Sequence, residues 1–216
     1  MVESEQMTKP GGGTLKRVAV LGGTFDPIHH GHLAAAELVA DQYGLDRVLF
    51  MPNRVPPHKP GHEISPAEDR YLMAVLATNS NPRFGVSRLE LDREGPSYTL
   101  DTLRSLRAAL GPDCAIYFII GADAALEIAT WHEAEAVLSE GRFIAVHRPG
   151  YDLERLASVI GPAGMVHIEP LALPELDISS TNLRERVAAQ QSIRYLTPEP
   201  VVDYIQRRGL YRTQSG

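Results

Sequence analysis

Short apolar runs alternate along the chain with longer amphipathic stretches. Six of the runs predict β-strands, at residues 17–21, 47–51, 84–91, 115–120, 142–146 and 165–168. The run 115–120 has no polar break except Tyr117, which is typical of a strand buried inside a parallel sheet.

The stretches between the runs predict helices over residues 30–43, 66–78, 99–110, 180–190 and 198–208. The string Ser65-Pro66-Ala67-Glu68 predicts a capping box with proline at the first helical position. Gly44 and Gly111 are typical of helix C-termini. Strands alternating with helices predict an α/β fold, a Rossmann-like doubly wound parallel sheet with a C-terminal helical segment. Ligands of such folds bind beyond the carboxyl ends of the strands.

The bulk composition limits the class of protein. With 216 residues, 44% of them hydrophobic and 22% charged, the chain has enough apolar surface for one sizeable domain. Polar residues 1–14, with Pro10 and three glycines, predict a disordered leader before a single domain over residues 15–213. The net charge of -6 argues against a broad nucleic-acid surface.

The sequence also bears on the cellular compartment of the protein. The single cysteine, Cys114, opens an apolar run and so predicts a core residue; one cysteine cannot form an intramolecular disulfide. No apolar run reaches the ~20 residues of a membrane span, and the start lacks the regions of a signal peptide. We expect a cytoplasmic protein with neither a membrane nor a nucleic acid as partner. The oligomeric state, a homo-oligomer included, stays open.

The first segment with candidate catalytic or binding residues joins strand 17–21 to helix 30–43. Gly22 and Gly23 allow a phosphate to approach the backbone, and the helix N-terminus offers unpaired N–H groups. His29 and His32, three residues apart, share one face at a helix start. A histidine pair is also half a metal site, but no nearby cysteine or glutamate completes it, so no metal site is predicted.

A second segment, Ile178-Ser179-Ser180-Thr181-Asn182-Leu183-Arg184, places hydroxyls at another helix start. Capping explains one hydroxyl, but not three together with Arg184 one turn later. Hydroxyls, free N–H groups and a guanidinium form a suitable cradle for β- and γ-phosphates.

Together the two segments resemble the signatures of the nucleotidylyltransferase superfamily. His29, Gly31 and His32 fill the fixed places of His-x-Gly-His, and Leu183 replaces the isoleucine often found in the second motif. The resemblance implies that His29, His32 and Arg184 are catalytic and that ATP binds to the residues around them. The implied ATP contacts are Gly22, Gly23, Thr24, Phe25, Gly31, Ser179, Ser180 and Thr181.

Further strings narrow the resemblance to bacterial nicotinate-nucleotide adenylyltransferase, over nearly all of residues 17–211. In Pro56-Pro57-His58-Lys59, otherwise a stiff surface loop, the resemblance implies that Lys59 lies near the reacting phosphates. In the string 95–103 it places Thr99 at the nicotinate carboxylate. In the string 121–132, Gly121 and Asp123 directly follow a strand, which suits binding of the ATP ribose, and the resemblance implies that Trp131 and His132 bind the acceptor. A lone tryptophan is otherwise more often a core residue. Arg148, after another strand, is a candidate phosphate contact.

The resemblance implies direct attack of the acceptor phosphate on the α-phosphorus of ATP, with nicotinate mononucleotide as acceptor. Mg²⁺ is expected to arrive with ATP, bound through phosphate oxygens and water; Asp26 would either touch its water shell or cap a helix.

Four alternatives share part of this pattern: class I aminoacyl-tRNA synthetases, cytidylyltransferases, phosphopantetheine adenylyltransferase and a non-catalytic nucleotide sensor. A synthetase would normally carry a Lys-Met-Ser-Lys-Ser-like loop, which this chain lacks. The phosphopantetheine enzyme lacks the Ser-Tyr-Thr and Trp-His strings, which this chain has. A sensor would be expected to lose a histidine or Arg184, and all of these are present.

Overall fold

Six parallel strands form a continuous sheet. The computed structural model describes Thr8 and residues 13–54, 64–147, 153–174 and 176–212; most of the predicted leader lies outside these ranges, and its disorder stays a prediction. The strands lie in the order β3-β2-β1-β4-β5-β6, and every neighbouring pair is parallel. They are β1 (Arg17–Gly23), β2 (Arg47–Pro52), β3 (Phe84–Val86), β4 (Ala115–Gly121), β5 (Arg142–His147) and β6 (Ile168–Ala172). The predicted doubly wound α/β fold is confirmed.

Helices cover both faces of the sheet. In chain order they are α1 (His30–Tyr43), α2 (Ala67–Thr78), α3 (Thr99–Leu110), α4 (Ala122–Leu126), α5 (Ala134–Glu140), α6 (Leu153–Met165), α7 (Ser180–Ala188) and α8 (Glu199–Arg208), with a 3-10 turn at Ile128–Thr130. Within the described residues, no helix is both long and apolar enough to cross a bilayer.

The two faces of β1 belong to two separate cores, because successive side chains of a strand point to opposite sides. Ala19 and Leu21 pack with residues of α1, α2, α7 and α8. Val18 and Val20 pack with residues of α3, α4, α5 and α6. Since β1 lies between β2 and β4, the strand order reverses at its carboxyl end, where a doubly wound sheet opens a crevice.

Two sequence predictions near α2 are corrected. The capping box at Ser65–Glu68 does not form: the helix starts at Ala67 with Pro66 as its N-cap residue. The Ser65 N–H donates instead to Oδ2 of Asp26 (3.2 Å), and Glu68 pairs with Arg88. The strand predicted over 84–91 ends at Val86, because its pairing with β2 stops at Phe50 and the chain turns at residues 89–91; Arg88, just before the turn, pairs with both Glu68 and Asp92.

The strand predicted at 165–168 is displaced along the chain. Met165 ends α6, Val166 is 78% exposed, and β6 begins only at Ile168, opposite Phe143. Helices α4, α5 and α6 were not predicted. The first two have 5 and 7 residues, too short for a helical period to stand out, and α6 is interrupted at Gly161, which has a φ of 73°.

Candidate active site

The histidine pair lies at the start of α1, immediately after the β1 loop. His29 is the N-cap residue with extended backbone angles. Its ring stacks on that of His32, with 3.7 Å between centroids and 24° between planes. The backbone N–H of His29 donates to Nδ1 of His32 (3.2 Å). The prediction that both rings share one face of the helix start is confirmed.

The His29 imidazole is held in its neutral form by burial. The residue is 6% exposed, and desolvation, reinforced by the nearby His30, lowers its pKa from 6.5 to about 4. The N–H of His32 approaches this ring as in a capping box, but it donates to the His29 carbonyl oxygen (3.0 Å). Nδ1 of His29 is therefore buried with no hydrogen-bond partner among the described residues. A buried polar atom of this kind is costly unless water or a ligand satisfies it.

Gly31 makes room for this ring. A Cβ atom at Gly31 would lie 3.0 Å from Nδ1 and 3.1 Å from Cε1 of His29. The same Cβ would lie 3.8 Å from the carbonyl oxygen of Ile178, so the second motif lies against the first. The resemblance implied an ATP contact at Gly31; the structure shows that its missing side chain makes room for the His29 ring.

The other loop residues have different roles. Phe25 is 2% exposed, and its ring meets that of His32 edge-on, with centroids 5.1 Å apart. A nucleotide contact at Phe25 would therefore involve its backbone. A Cβ at Gly23 would lie 3.0 Å from the Phe25 ring, whereas a Cβ at Gly22 would meet nothing within 4 Å.

Donors from α7, from α2 and from the loop before α8 bind the carbonyl oxygens of the β1 loop. Nη1 of Arg184 donates to the carbonyl of Asp26 (2.8 Å), and Oγ of Ser180 donates to that of Pro27 (2.8 Å). Thr197 and Arg70 bind the carbonyls of Ile28 and Thr24. The second motif, Thr197 and Arg70 together therefore fix the backbone of the loop.

Within the second motif the hydroxyls divide their roles. Ser179 is the N-cap residue of α7, and its Oγ accepts the N–H of Asn182 (3.1 Å). Ser180 reaches the β1 loop, while Thr181 is exposed and accepts from Nη2 of Arg184 (3.2 Å). A guanidinium has five N–H donors, and the contacts of Arg184 to Asp26 and Thr181 use two. Phosphate binding by these residues stays a prediction.

Asp26 is a structural anchor that the sequence did not reveal. Its carboxylate is 4% exposed; Oδ1 accepts the hydroxyl of Tyr211 (2.6 Å), and Oδ2 accepts the N–H of Ser65. Burial and the adjacent Asp26 carboxylate raise the pKa of Tyr211. The N-cap residues of the neighbouring helices are His29, Pro66 and Ser179, so the helix-cap role is not observed; a place beside magnesium water stays a prediction. The local sequence Asp26-Pro27 cannot indicate a hydrogen bond to Tyr211, which lies 185 residues away.

The predicted ribose contacts lie at the end of β4. Gly121 is the last residue of the strand and is exposed, and a Cβ atom there would meet nothing within 4 Å. Asp123 is exposed in the first turn of α4. Both therefore border the crevice beside β1, as expected for residues that directly follow a neighbouring strand.

The predicted acceptor residues come together on the α3 side of the sheet. Thr99 is the first residue of α3, with Tyr98 as N-cap residue. The Tyr98 ring stacks on exposed His132, with centroids 4.2 Å apart. Trp131 is half-buried and meets Phe143 edge-on at 6.2 Å. One part of Trp131 packs on the core and another remains open; binding of the acceptor ring there stays a prediction.

A half-buried carboxyl that the sequence did not indicate, Glu90, lies in the segment before α3. Oε1 of Glu90 accepts the hydroxyl of Thr102 in α3 (2.9 Å), and burial raises the Glu90 pKa. Arg93 donates to the same hydroxyl (3.2 Å). These contacts join the chain before α3 to the helix that presents Thr99.

A cleft of about 160 Å³ opens beside the histidine pair. Small residues of α1 form one wall, and apolar residues from the ends of β5 and β6 form the other; they include Gly31, Ala34, Ala35, Val146 and Leu173. Two predicted residues cannot be placed, because Lys59 and Arg148 lie outside the described residues.

Comparison with known proteins gives one consistent result. Residues 20–186 match the family model described as Cytidylyltransferase-like. The chain is 49% identical over 210 residues to a protein of Acidothermus cellulolyticus, covering 94% of this chain and 98% of that one. It is 51% identical to a protein of Streptomyces coelicolor, covering 89% and 99%. Both relatives are named probable nicotinate-nucleotide adenylyltransferase.

The fold also matches solved structures. A Plasmodium falciparum nicotinic acid mononucleotide adenylyltransferase complexed with NaAD superposes with a TM-score of 0.73, covering 91% of this chain and 97% of that one. The identity is 22%, so this likeness establishes the fold alone.

Proposed function

We infer that the chain, which belongs to the nicotinate-nucleotide adenylyltransferases, transfers AMP from ATP to nicotinate mononucleotide. The products are nicotinate adenine dinucleotide and pyrophosphate, so the reaction is a step of NAD biosynthesis. The observation that carries this function is the stacked pair His29 and His32 at a helix N-terminus, packed against the helix that bears Arg184.

The proposed reaction needs positioning more than proton transfer. An oxygen of the acceptor phosphate forms a bond to the α-phosphorus, and the bond from that phosphorus to the bridging oxygen breaks, releasing pyrophosphate. Catalysis then depends on holding the two reactants in line and on stabilising charge on the phosphates. Donors already fixed in place need no reorganisation at the moment of reaction, and the anchored β1 loop meets this requirement.

ATP is proposed to extend from the cleft to the histidines. The apolar wall of Val146 and Leu173, opposite the flat surface of Ala34 and Ala35, suits an adenine ring. The triphosphate would then reach the N-termini of α1 and α7, where backbone N–H groups favour anions. Gly121 and Asp123 would border the ribose. Lys59 and Arg148 remain proposed phosphate contacts.

The acceptor is proposed to lie on the α3 side. The open part of Trp131 offers a surface for the pyridine ring, and the N-terminus of α3 at Thr99 offers donors to its carboxylate. His132, exposed and stacked on Tyr98, would border the same ligand.

Mg²⁺ is proposed to enter with the nucleotide. Asp26, the buried carboxylate of the β1 loop, has its two oxygens engaged by Tyr211 and Ser65. The site therefore fits a metal held by phosphate oxygens and water, the usual preference of Mg²⁺. The ion would offset phosphate charge. We further propose a cytoplasmic location for the enzyme, with ATP and nicotinate mononucleotide as its partners.

Mixing the protein with Mg-ATP and nicotinate mononucleotide tests the reaction. We expect pyrophosphate release that requires both substrates, together with a dinucleotide of the expected mass. Pyrophosphate release without acceptor, or no dinucleotide at all, would refute the proposed function.

A further inference from the structure

Arg70 in α2 is a buried arginine whose partners are mainly backbone carbonyls. It is 1% exposed. Nη1 donates to the carbonyl of Thr24 (2.8 Å) and Nε to that of Ser65 (3.1 Å). Nη2 donates to the carbonyls of Asn53 (2.8 Å) and Arg54 (3.2 Å). One side chain thus binds four carbonyl oxygens.

These carbonyls come from three separate segments at the same edge of the sheet. Thr24 follows β1 in the loop proposed to meet the triphosphate. Asn53 and Arg54 follow β2, and Ser65 precedes α2. The N–H of Asn53 also donates to the carbonyl of Gly23 (3.1 Å), so the ends of β1 and β2 are coupled directly as well as through the guanidinium.

The chemistry of the side chain explains why an arginine occupies this place. A guanidinium is planar and carries five N–H donors in a fixed fork, whereas a lysine ammonium carries three on a flexible stem. An unpaired buried cation would be strongly unfavourable. Burial lowers the pKa of Arg70, and the charge of Asp26 opposes this. The buried guanidinium is tolerated because carbonyl oxygens take the place of the water molecules that would otherwise solvate it.

We propose that Arg70 is a positioning residue for adenylyl transfer: it fixes the backbone of Thr24 relative to Asn53, so that the β1 loop is ready to receive the triphosphate. The inference rests on the proposed function. Arg70 itself touches neither reactant; it acts through the loop that does. A helical arginine is ordinarily expected at a surface, which is why the sequence alone did not indicate this role.

Two substitutions and a matched control test the proposal. Arg70→Lys keeps a cation but loses the fork, and Arg70→Gln removes the charge. The control is Asp69→Asn, at the neighbouring buried residue, whose carboxylate binds Tyr204 (2.6 Å) and Arg208 (3.1 Å) of α8. Asp69→Asn is expected to reduce stability without moving the β1 loop.

Steady-state kinetics should separate positioning from stability. Misplacement of reacting groups by ~1 Å costs roughly 10²-fold in rate, so both Arg70 variants should lose about 10- to 100-fold in kcat/KM for ATP. The KM for nicotinate mononucleotide, bound on the α3 side, should change little. Asp69→Asn should retain wild-type kcat/KM for ATP.

Hydrogen exchange at the Asn53 amide gives a readout that needs no activity. It should accelerate in Arg70→Lys and Arg70→Gln and stay unchanged in Asp69→Asn. Wild-type exchange together with wild-type kcat/KM in the Arg70 variants would overturn the proposal. So would unfolding of both Arg70 variants beside a folded Asp69→Asn, because the role would then be stability alone. If wild-type protein made no dinucleotide, the proposed function would fail, while the exchange data would still test the loop.

Discussion

Nδ1 of His32 accepts the backbone N–H of His29, while the two imidazole rings stack with their centroids 3.7 Å apart. Because Nδ1 is the acceptor, a neutral His32 carries its proton on Nε2. Among the described residues, Nδ1 of His29 has no hydrogen-bond partner. One residue orients the other at the start of the helix.

Replacement of either histidine should reduce turnover strongly. Removal of a preorganised donor costs on the order of 10²- to 10³-fold, and we expect losses of this size in kcat for His29→Ala and for His32→Ala. His30→Ala, at the half-buried residue that directly follows His29, is the matched control and should keep near-normal turnover. Near-normal turnover in His29→Ala or His32→Ala would show that the replaced histidine does not stabilise the reacting phosphates.

Gly31→Ala should impair the site while sparing the fold. Helix propensity favours alanine over glycine by up to about 1 kcal/mol, which would offset part of the cost of crowding the His29 ring, so the melting temperature should change little. The new Cβ, 3.0 Å from Nδ1 of His29, would displace the imidazole. We expect kcat to fall by roughly 10- to 100-fold. Full activity in this variant would mean that the position of the His29 ring is not critical.

The depressed pKa of His29 predicts a pH dependence of stability. An unfolded histidine binds a proton below about pH 6.5, whereas the folded His29 binds it only below about 4. Its stabilising contribution is present above the unfolded pKa and is lost as the pH falls from about 6.5 toward about 4. The loss is on the order of 3 kcal/mol.

Urea unfolding at about pH 7 and about pH 5 measures this effect against His29→Gln, which cannot titrate. The wild-type protein should lose more stability on acidification than the variant. Equal losses would show that His29 does not titrate with a depressed pKa.

Tyr211→Phe should destabilise the β1 loop. The variant removes the hydroxyl that donates to Oδ1 of Asp26 (2.6 Å), leaving a carboxylate that is only 4% exposed with an unsatisfied oxygen. Such a group costs about 1–3 kcal/mol. Tyr195→Phe, at a tyrosine that is 88% exposed, is the control and should be neutral. Equal unfolding free energies for the two variants would contradict an anchoring role for Tyr211.

Local patterns in the sequence predicted the sheet and the helices that carry strong signals. The bounds of α1 and α3 agree with their predictions, because apolar periodicity and terminal glycines mark them. The strand at 84–91 was predicted too long because alternation alone cannot distinguish strand residues from Arg88 and its ion pairs in a turn.

The sequence predicted only those parts of the site whose residues lie close together along the chain. That His29 and His32 share one face of the helix start follows from their spacing. The links that fix the loop do not, because Tyr211 and Arg70 reach the loop from distant parts of the chain. Such contacts depend on how α2 and the C-terminal segment pack, and no local pattern encodes that.

The choice of acceptor tests the proposed function most directly. Nicotinate and nicotinamide mononucleotides differ only in a carboxylate versus an amide, so stacking on Trp131 cannot separate them. N–H donors at the N-terminus of α3 around Thr99 can bind a carboxylate oxygen but find no acceptor on an amide NH₂. Each donor left without a partner weakens binding by about 1–3 kcal/mol. Two such groups imply a preference of roughly 10²- to 10⁴-fold.

An equimolar mixture of both acceptors with limiting Mg-ATP, quantified by mass spectrometry, measures the ratio of the two kcat/KM values in one reaction. We expect nicotinate adenine dinucleotide as the dominant product, in excess by about 10²-fold or more. Equal amounts of the two dinucleotides, or an excess of the amide product, would contradict the assignment of nicotinate mononucleotide as acceptor.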